Sequence, residues 1–153
     1  MSKLKKILED NGKEAVQLYR QSLRDNDRVA TGDTNQSIRY EVKQTNKTTT
    51  TLTLYALDHI RFLETGMTPD EFQASKDADI FQQITRWANA RGINKSAWGI
   101  IRNLELNGYE GTPDLITSVD ETVENNILND IKQSSKSIIL GELRTSKNGN
   151  NSN

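Results

Sequence analysis

Residues 37–56 read SIRYEVKQTNKTTTTLTLYA, the part of the sequence with the clearest strand periodicity. From Ile38 onward, apolar and charged side chains alternate, as expected of a strand that buries one face. A polar turn follows, and residues 48–56 alternate again, with Leu52 and Leu54 set against threonines, which favour extended backbone. The pattern predicts a β-hairpin.

Helical periodicity surrounds the hairpin on both sides. Over residues 3–28, apolar side chains recur at helical spacing with charged residues between them, which predicts an amphipathic N-terminal helix. The same spacing predicts further helices over residues 79–91, 96–107 and 114 to about 143. The predicted fold class is therefore α+β, with an N-terminal amphipathic helix, an antiparallel sheet based on the hairpin, and then helices that include a long C-terminal helix.

The connections between these elements carry turn signals. Gly66 is expected to close a short element over residues 58–66, and residues 67–77 are expected to form a polar loop punctuated by a proline. Thr112 is expected to be the N-cap of the long helix, with Pro113 in its first turn, where a missing amide hydrogen costs nothing.

The length of the chain bounds its organisation. A chain of 153 residues suits one compact domain, and we expect a single α+β domain with projecting terminal helices over residues 1–145. Residues 146–153 consist of serine, asparagine, glycine and lysine, so a disordered tail is expected there. The long helix exceeds what a domain of this size buries, so its far end is expected to project or to pack on a neighbour.

The overall charge argues against two broad classes of protein. Lysine and arginine number 20 against 21 aspartates and glutamates, a balance that disfavours a dedicated nucleic-acid or membrane-surface binder. No window approaches the roughly 18 apolar residues of a membrane span, and no run resembles a signal peptide, so the protein is expected in the cytosol where it is made. The lack of cysteine excludes disulfides, thiolate catalysis and iron–sulfur clusters.

Charge is distributed unevenly along the chain. Residues 110–130 contain six acids and no base, whereas the N-terminal helix is slightly basic. Two copies of the chain would then meet with opposite signs, the first helix of one against the long helix of the next. The alternative is that both are ordinary solvated faces, as expected for Asp120, Glu121 and Glu124 opposite the apolar stripe of the long helix.

Catalytic chemistry has one candidate location. Asp58, His59 and Glu64 could form an acid–base histidine oriented by a carboxylate, or hold a divalent metal as in metal-dependent nucleases and phosphoesterases. The alternative is a structural or solvated histidine, since no nucleophile elbow and no second histidine accompany it. No phosphate-binding glycine loop is present. The residues therefore favour the structural histidine, without a cofactor or a metal site.

The order of several short motifs resembles a known family. An N-terminal helix is followed by TGDTNQSI at residues 31–38, by a hairpin ending in Tyr55-Ala56, and by FLETG at residues 62–66. This order resembles the neck and tail-completion proteins of tailed bacteriophages, which show a T-G-x-L-x-x-S-I segment, a hairpin and a Y-A-x-x-x-E-x-G segment. Similar downstream pieces are ITRWA at 84–88, RGI at 91–93 and GTP at 111–113.

The resemblance implies a structural role in the virion. Such a protein is an α+β subunit of a ring at the head-to-tail joint, made in the cytoplasm of the host bacterium. Its partners would be further copies of itself, portal or adaptor proteins, and tail proteins, with genomic DNA passing through the ring without sequence-specific binding. The resemblance also implies no enzyme activity and no membrane partner. The metal-dependent nuclease or phosphoesterase and a non-enzymatic helical adaptor are the alternatives.

The expected subunit interface combines three parts of the chain. The open edge of the hairpin could pair with a neighbouring subunit. A charged pair beside Gly66 could hold a loop or cross a subunit boundary, and the far end of the long helix could pack on a neighbour. The candidate interface residues are Thr49, Thr51, Thr53, Arg61, Glu64, Ile131 and Ile138.

Overall fold

The computed structural model describes residues 2–28, 32–57 and 60–149, the last eight as backbone only. Its architecture is α+β, as predicted: an N-terminal helix, a two-stranded antiparallel sheet, and several helices that end in a long one. The elements in chain order are α1 (Lys3–Asp25), α2 (Asp33–Ser37), β1 (Arg39–Gln44), β2 (Thr50–Tyr55), α3 (Ile60–Thr65), α4 (Pro69–Ser75), α5 (Ile80–Ala90), α6 (Ala97–Asn107) and α7 (Thr117–Gly149).

Helices α1 and α7 form an antiparallel pair that supports the core. The Ser22 hydroxyl donates to the Leu115 carbonyl at 2.7 Å, and Tyr19 donates from its hydroxyl to Asp120. At the other end, the buried Asn11 amide donates to Asp130 at 2.8 Å. The buried core residues are Ala15, Val16, Tyr19, Leu23, Ile38, Leu115, Val119 and Val123. Apolar faces of both helices therefore meet in the middle of the pair.

The hairpin packs one face against α1. Its register pairs Arg39 with Tyr55 at one end and Gln44 with Thr50 at the other. Tyr40 and Leu54 contact the core, in agreement with the predicted alternation. The ring of Tyr40 fills the space beside Gly12 where a side chain would otherwise begin.

The predicted polar loop at residues 67–77 is wrong in part, because it contains helix α4. The Thr68 side chain accepts the Glu71 amide at 3.3 Å, and the Glu71 carboxylate accepts the Thr68 amide at 2.9 Å. Pro69 occupies the first turn. These residues form a capping box, a local signal strong enough to start a helix of only seven residues.

The predicted start of the long helix is also wrong. Asp114 has a left-handed backbone with φ of 61°, so residues 113–116 form turns and α7 begins at Thr117. The Thr112 hydroxyl is not an N-cap; it accepts a hydrogen bond from Arg28 at 2.8 Å.

The end of α7 lies beyond the predicted one. The helix runs to Gly149, so its backbone is helical over residues 146–149, where a disordered tail was predicted. Extending an existing helix by one residue is far less costly than starting one, which explains why a polar sequence continues it. Residues 150–153 of the predicted tail lie outside the described residues.

Helices α4, α5 and α6 form a lobe that leaves and rejoins the rest of the chain at one place. Met67 and Tyr109 form an isolated antiparallel bridge, with amide-to-carbonyl distances of 2.9 Å in both directions. Arg86 pairs with Asp33 at 3.0 Å, and Arg91 pairs with Asp27 at 2.8 Å. The lobe therefore joins the core through a two-residue bridge and a few surface ion pairs.

Within the described ranges, no helix is both long and apolar enough to cross a bilayer.

Candidate subunit interface

The hydrogen-bonding pattern of the hairpin identifies its open edges. The Thr45 amide donates to the Thr49 carbonyl at 3.0 Å, so these two residues form a hydrogen-bonded pair. Such pairs alternate with non-hydrogen-bonded pairs in an antiparallel ladder. With the observed register, the next hydrogen-bonded pairs are Lys43 with Thr51, Glu41 with Thr53 and Arg39 with Tyr55. The amides of Thr51 and Thr53 are therefore used inside the hairpin.

Other residues carry the free backbone groups of the edge. The backbone amide and carbonyl groups of Thr50, Leu52 and Leu54 point away from β1. On the other strand, the backbone groups of Tyr40, Val42 and Gln44 point away from β2. Within the part of the chain that the structure describes, no third strand pairs with either edge. Thr49 lies in the exposed turn, where its amide donates to Asn46 at 2.8 Å. The predicted threonines thus lie on the hairpin, but Thr49, Thr51 and Thr53 are not the residues whose amides are free.

The outer face of the hairpin is a network of charged and aromatic side chains. The Arg39 guanidinium lies 4.3 Å from the ring centre of Tyr55, whose hydroxyl donates to Glu41 at 3.1 Å. Lys43 pairs with Glu41 at 3.1 Å. The hydrogen bonds from Lys43 and then Tyr55 hold the pKa of Glu41 below its ordinary value. These contacts fix the side chains that flank the two free edges.

Glu64 makes its contacts within the chain. Its carboxylate accepts the amide of Ile116 at 2.5 Å, the amide of Thr117 at 2.8 Å and the hydroxyl of Thr117 at 2.7 Å. Burial raises the pKa of Glu64, but the hydrogen bonds from Thr117 and Ile116 outweigh it and leave the pKa below its ordinary value. Glu64 is therefore the N-terminal cap of α7.

Arg61 does not form the expected charged pair with Glu64. Its guanidinium lies 4.6 Å from the ring centre of Phe62, and the residue is exposed on α3. Arg61 thus stays available to a neighbour, while Glu64 holds two segments of its own chain together.

Ile131 and Ile138 differ in exposure along α7. Ile131 is half-buried, whereas Ile138 is 50% exposed and is followed by exposed Ile139 and Leu140. The contacts between α1 and α7 align the two antiparallel helices. Because both helices rise by the same distance per residue, the first turn of α1 lies beside about residue 138 of α7. Beyond that level α1 no longer covers α7, so the apolar residues there are exposed.

The two helices of opposite charge meet inside one chain. The basic α1 packs along α7 of the same molecule, and a contact between these two helices in neighbouring copies stays a prediction. Asp120, expected on the solvated side, accepts a hydrogen bond from Tyr19 of α1, and Asp130 accepts one from Asn11. The apolar face of an amphipathic helix must pack against another element, and α7 of the same chain covers that face of α1.

Large exposed apolar side chains lie on the α4–α6 lobe, outside the predicted interface residues. Trp98 and Leu106 are each 66% exposed on α6. Trp98 lies against Phe81 of α5, with ring centres 5.0 Å apart. A shallow depression of about 390 Å³ runs along α5 beside Phe81 and Arg86.

The catalytic candidates do not form a described cluster. Asp58 and His59 lie outside the described residues. Both carboxylate oxygens of Glu64 accept hydrogen bonds from α7 and the residue before it. In the ranges that the structure does describe, no three acidic or histidine side chains are close enough to hold a metal.

Comparisons of the chain with models of known protein families, with curated proteins and with solved structures found no match.

Proposed function

We propose that this chain is a structural virion protein of a tailed bacteriophage, a ring-forming neck or tail-completion subunit that joins the portal side of the capsid to the tail. Its partners are copies of itself, portal or adaptor proteins on one side and tail proteins on the other. Genomic DNA passes through the ring without sequence-specific contacts. The proposal begins with the resemblance in residues 31–38 and 62–66.

The observation that carries the proposal is the pair of open edges on the hairpin. Because β1 and β2 are antiparallel, a neighbour that adds its β1 to the free edge of β2 continues the sheet in the same alternating order. The two edges are different surfaces, so this contact is heterologous and closes into a ring when the rotation between copies allows it. The packing of α1 behind the sheet keeps both edges in fixed positions.

Two of the motifs that carry the resemblance meet in space. The Thr112 amide donates to the Leu63 carbonyl at 2.8 Å, which joins GTP at 111–113 to FLETG at 62–66. Gly66 has a positive φ of 77°, and a side chain there would collide with the backbone of Gly111 and Tyr109. The motifs thus form one structural unit, which supports reading them together.

A proline substitution tests the open edge. Thr50→Pro removes an amide hydrogen that points away from β1 and lies at the start of a strand, where proline is tolerated. We expect the variant to keep the circular dichroism spectrum of the parent and to self-associate about tenfold more weakly, measured by light scattering over a concentration series.

The controls separate edge pairing from general damage. Thr50→Val keeps the amide hydrogen and should assemble like the parent. Thr51→Pro removes an amide used inside the hairpin and should destabilise the monomer itself. Equal assembly of the parent and Thr50→Pro would remove the hairpin edge from the interface, and with it the observation on which the proposal depends.

A further inference from the structure

Helix α6 presents an exposed stripe of two apolar residues with a base between them. Trp98, Arg102 and Leu106 are four residues apart and lie on one exposed face of the helix, beside the face that buries Ala97 and Ile101. Trp98 is held in place by its contact with Phe81, at 5.0 Å between ring centres. A pre-positioned tryptophan loses little side-chain freedom on binding, which makes it a good interface anchor.

Basic residues outnumber acidic residues around this stripe. The charged residues of segment 80–104 are all basic: Arg86, Arg91, Lys95 and Arg102. Arg86 and Arg91 are already paired with Asp33 and Asp27. Arg102 makes no salt bridge within the described ranges, although its charge acts on the neighbouring Glu105, which binds Lys76 at 2.5 Å. The stripe therefore presents a positive charge without a salt-bridge partner between two apolar anchors.

Helix α7 presents the complementary pattern on its outer side. Glu121, Glu124 and Leu128 follow one another at helical spacing, opposite the buried Val119 and Val123. Leu128 is 45% exposed. Neither glutamate has a salt bridge or a hydrogen bond from any side chain that the structure describes, whereas Asp120 and Asp130 are bonded to α1.

We propose that the Trp98–Arg102–Leu106 face of α6 docks on the Glu121–Glu124–Leu128 face of α7 in a second copy of the chain. This inference rests on the self-assembly in the proposed function and names a surface pair for it. Both faces are exposed to solvent in a single molecule, so they do not pack against each other within the same chain. Arg102 would lie between the two glutamates, with the apolar anchors around them.

The second copy is favoured over other occupants by charge and by the apolar anchors. A nucleic acid would use Trp98 and Arg102 but would leave Leu106 against a polar backbone. The acidic face of α7 supplies both the charge and an apolar side chain. Because the two faces differ, the contact is heterologous, and each copy offers one face to each neighbour.

Charge reversal and its compensation test the pairing. Arg102→Glu alone, and Glu121→Arg with Glu124→Arg, should each weaken self-association at least about tenfold in sedimentation equilibrium. Combining all three substitutions in one chain should restore association, since the reversed face of each copy then meets a reversed face of the next. Lys13→Glu, on the exposed side of α1, is the matched control and should have no effect.

A cross-link tests the geometry directly. The chain has no cysteine, so single cysteines report only on the introduced positions. Under mild oxidation, a mixture of Leu106→Cys and Leu128→Cys proteins should give a disulfide-linked pair of unlike chains, in larger yield than either protein gives alone.

Each outcome has a distinct meaning. If Arg102→Glu, the double variant Glu121→Arg with Glu124→Arg, and their combination all assemble like the parent, this surface pair is overturned and the ring proposal still stands. A parent that is monomeric throughout the series would overturn the pair and the self-assembly together. Binding of single-stranded DNA that is lost in Arg102→Glu, with assembly unchanged, would assign the α6 face to a nucleic acid and overturn the inference.

Discussion

The carboxylate of Glu64 caps the helix that begins at Thr117, 53 residues further along the chain. It accepts the Thr117 amide at 2.8 Å and the Thr117 hydroxyl at 2.7 Å. Helix N-termini leave amides without partners, and a negative charge there also favours the helix dipole. The short helix α3 thereby fixes the start of the longest helix of the fold.

Removing this cap should destabilise the protein. We expect Glu64→Ala to lower the free energy of unfolding by about 1–2 kcal/mol, because two amides lose their acceptor. Glu64→Gln keeps an oxygen acceptor without the charge and should cost less. Urea denaturation monitored by circular dichroism measures both changes. Glu110→Ala, an exposed acid near the same turn, is the control, and an equal loss there would contradict the capping role.

The same contact predicts a pH dependence. The pKa of Glu64 is lower in the folded protein than its ordinary value of 4.5, so the folded state favours the ionised carboxylate. Its contribution to stability is complete above that ordinary value and is lost as the pH falls through the lowered folded pKa. The stability difference between the parent and Glu64→Gln should therefore shrink as the pH falls below about 4.5. A difference that stays constant to pH 3 would contradict this account.

Gly66 and Gly92 allow two effects of replacing a glycine to be compared, the backbone strain at positive φ and the steric clash of the added side chain. Both have positive φ, of 77° and 65°. A side chain at Gly66 would lie 2.6 Å from the Tyr109 carbonyl oxygen, whereas nothing lies within 4 Å of one at Gly92. Gly92→Ala should cost about 1 kcal/mol for backbone strain alone, and Gly66→Ala should cost clearly more. Thermal unfolding of the two variants makes the comparison, and equal costs would contradict the close approach at Gly66.

At Gly12, the structure predicts that substitution by alanine lowers stability, whereas helix propensity alone predicts that it raises stability. An alanine inside a helix is ordinarily favoured over glycine by about 1 kcal/mol. Here the ring of Tyr40 occupies the position of the new methyl group, so the side chain would force α1 away from β1. We expect Gly12→Ala to lower the melting temperature, and Tyr40→Leu in the same chain to recover part of the loss. A more stable Gly12→Ala protein would show that the ring moves freely.

Much of the secondary structure follows from the sequence because its signals are local. The alternation at residues 38–42, the stop at Gly92 and the N-cap at Ser96 each depend on neighbouring residues. The Thr68–Glu71 capping box is also a local signal for helix α4, but a proline in a polar stretch is equally typical of a loop.

Contacts between distant residues were not predictable in the same way. Thr112 had the sequence of an N-cap, but Glu64 competes for that role from another helix. The opposite charges of α1 and α7 were visible, yet nothing in the sequence states whether they meet within one chain or between two. For the interface, alternation indicates which side chains face outward, but the free amides depend on the pairing register, which shifts the edge from Thr51 to Thr50.

The central claim is that copies of this chain close into a ring. Its most direct test is negative-stain imaging of the purified protein, together with its absolute mass from light scattering, at increasing concentration. We predict annular particles with a central opening and one copy number, for which six and twelve are both compatible with the fold. Particles with the mass of a single chain at every concentration, or open filaments without closed rings, would contradict the account.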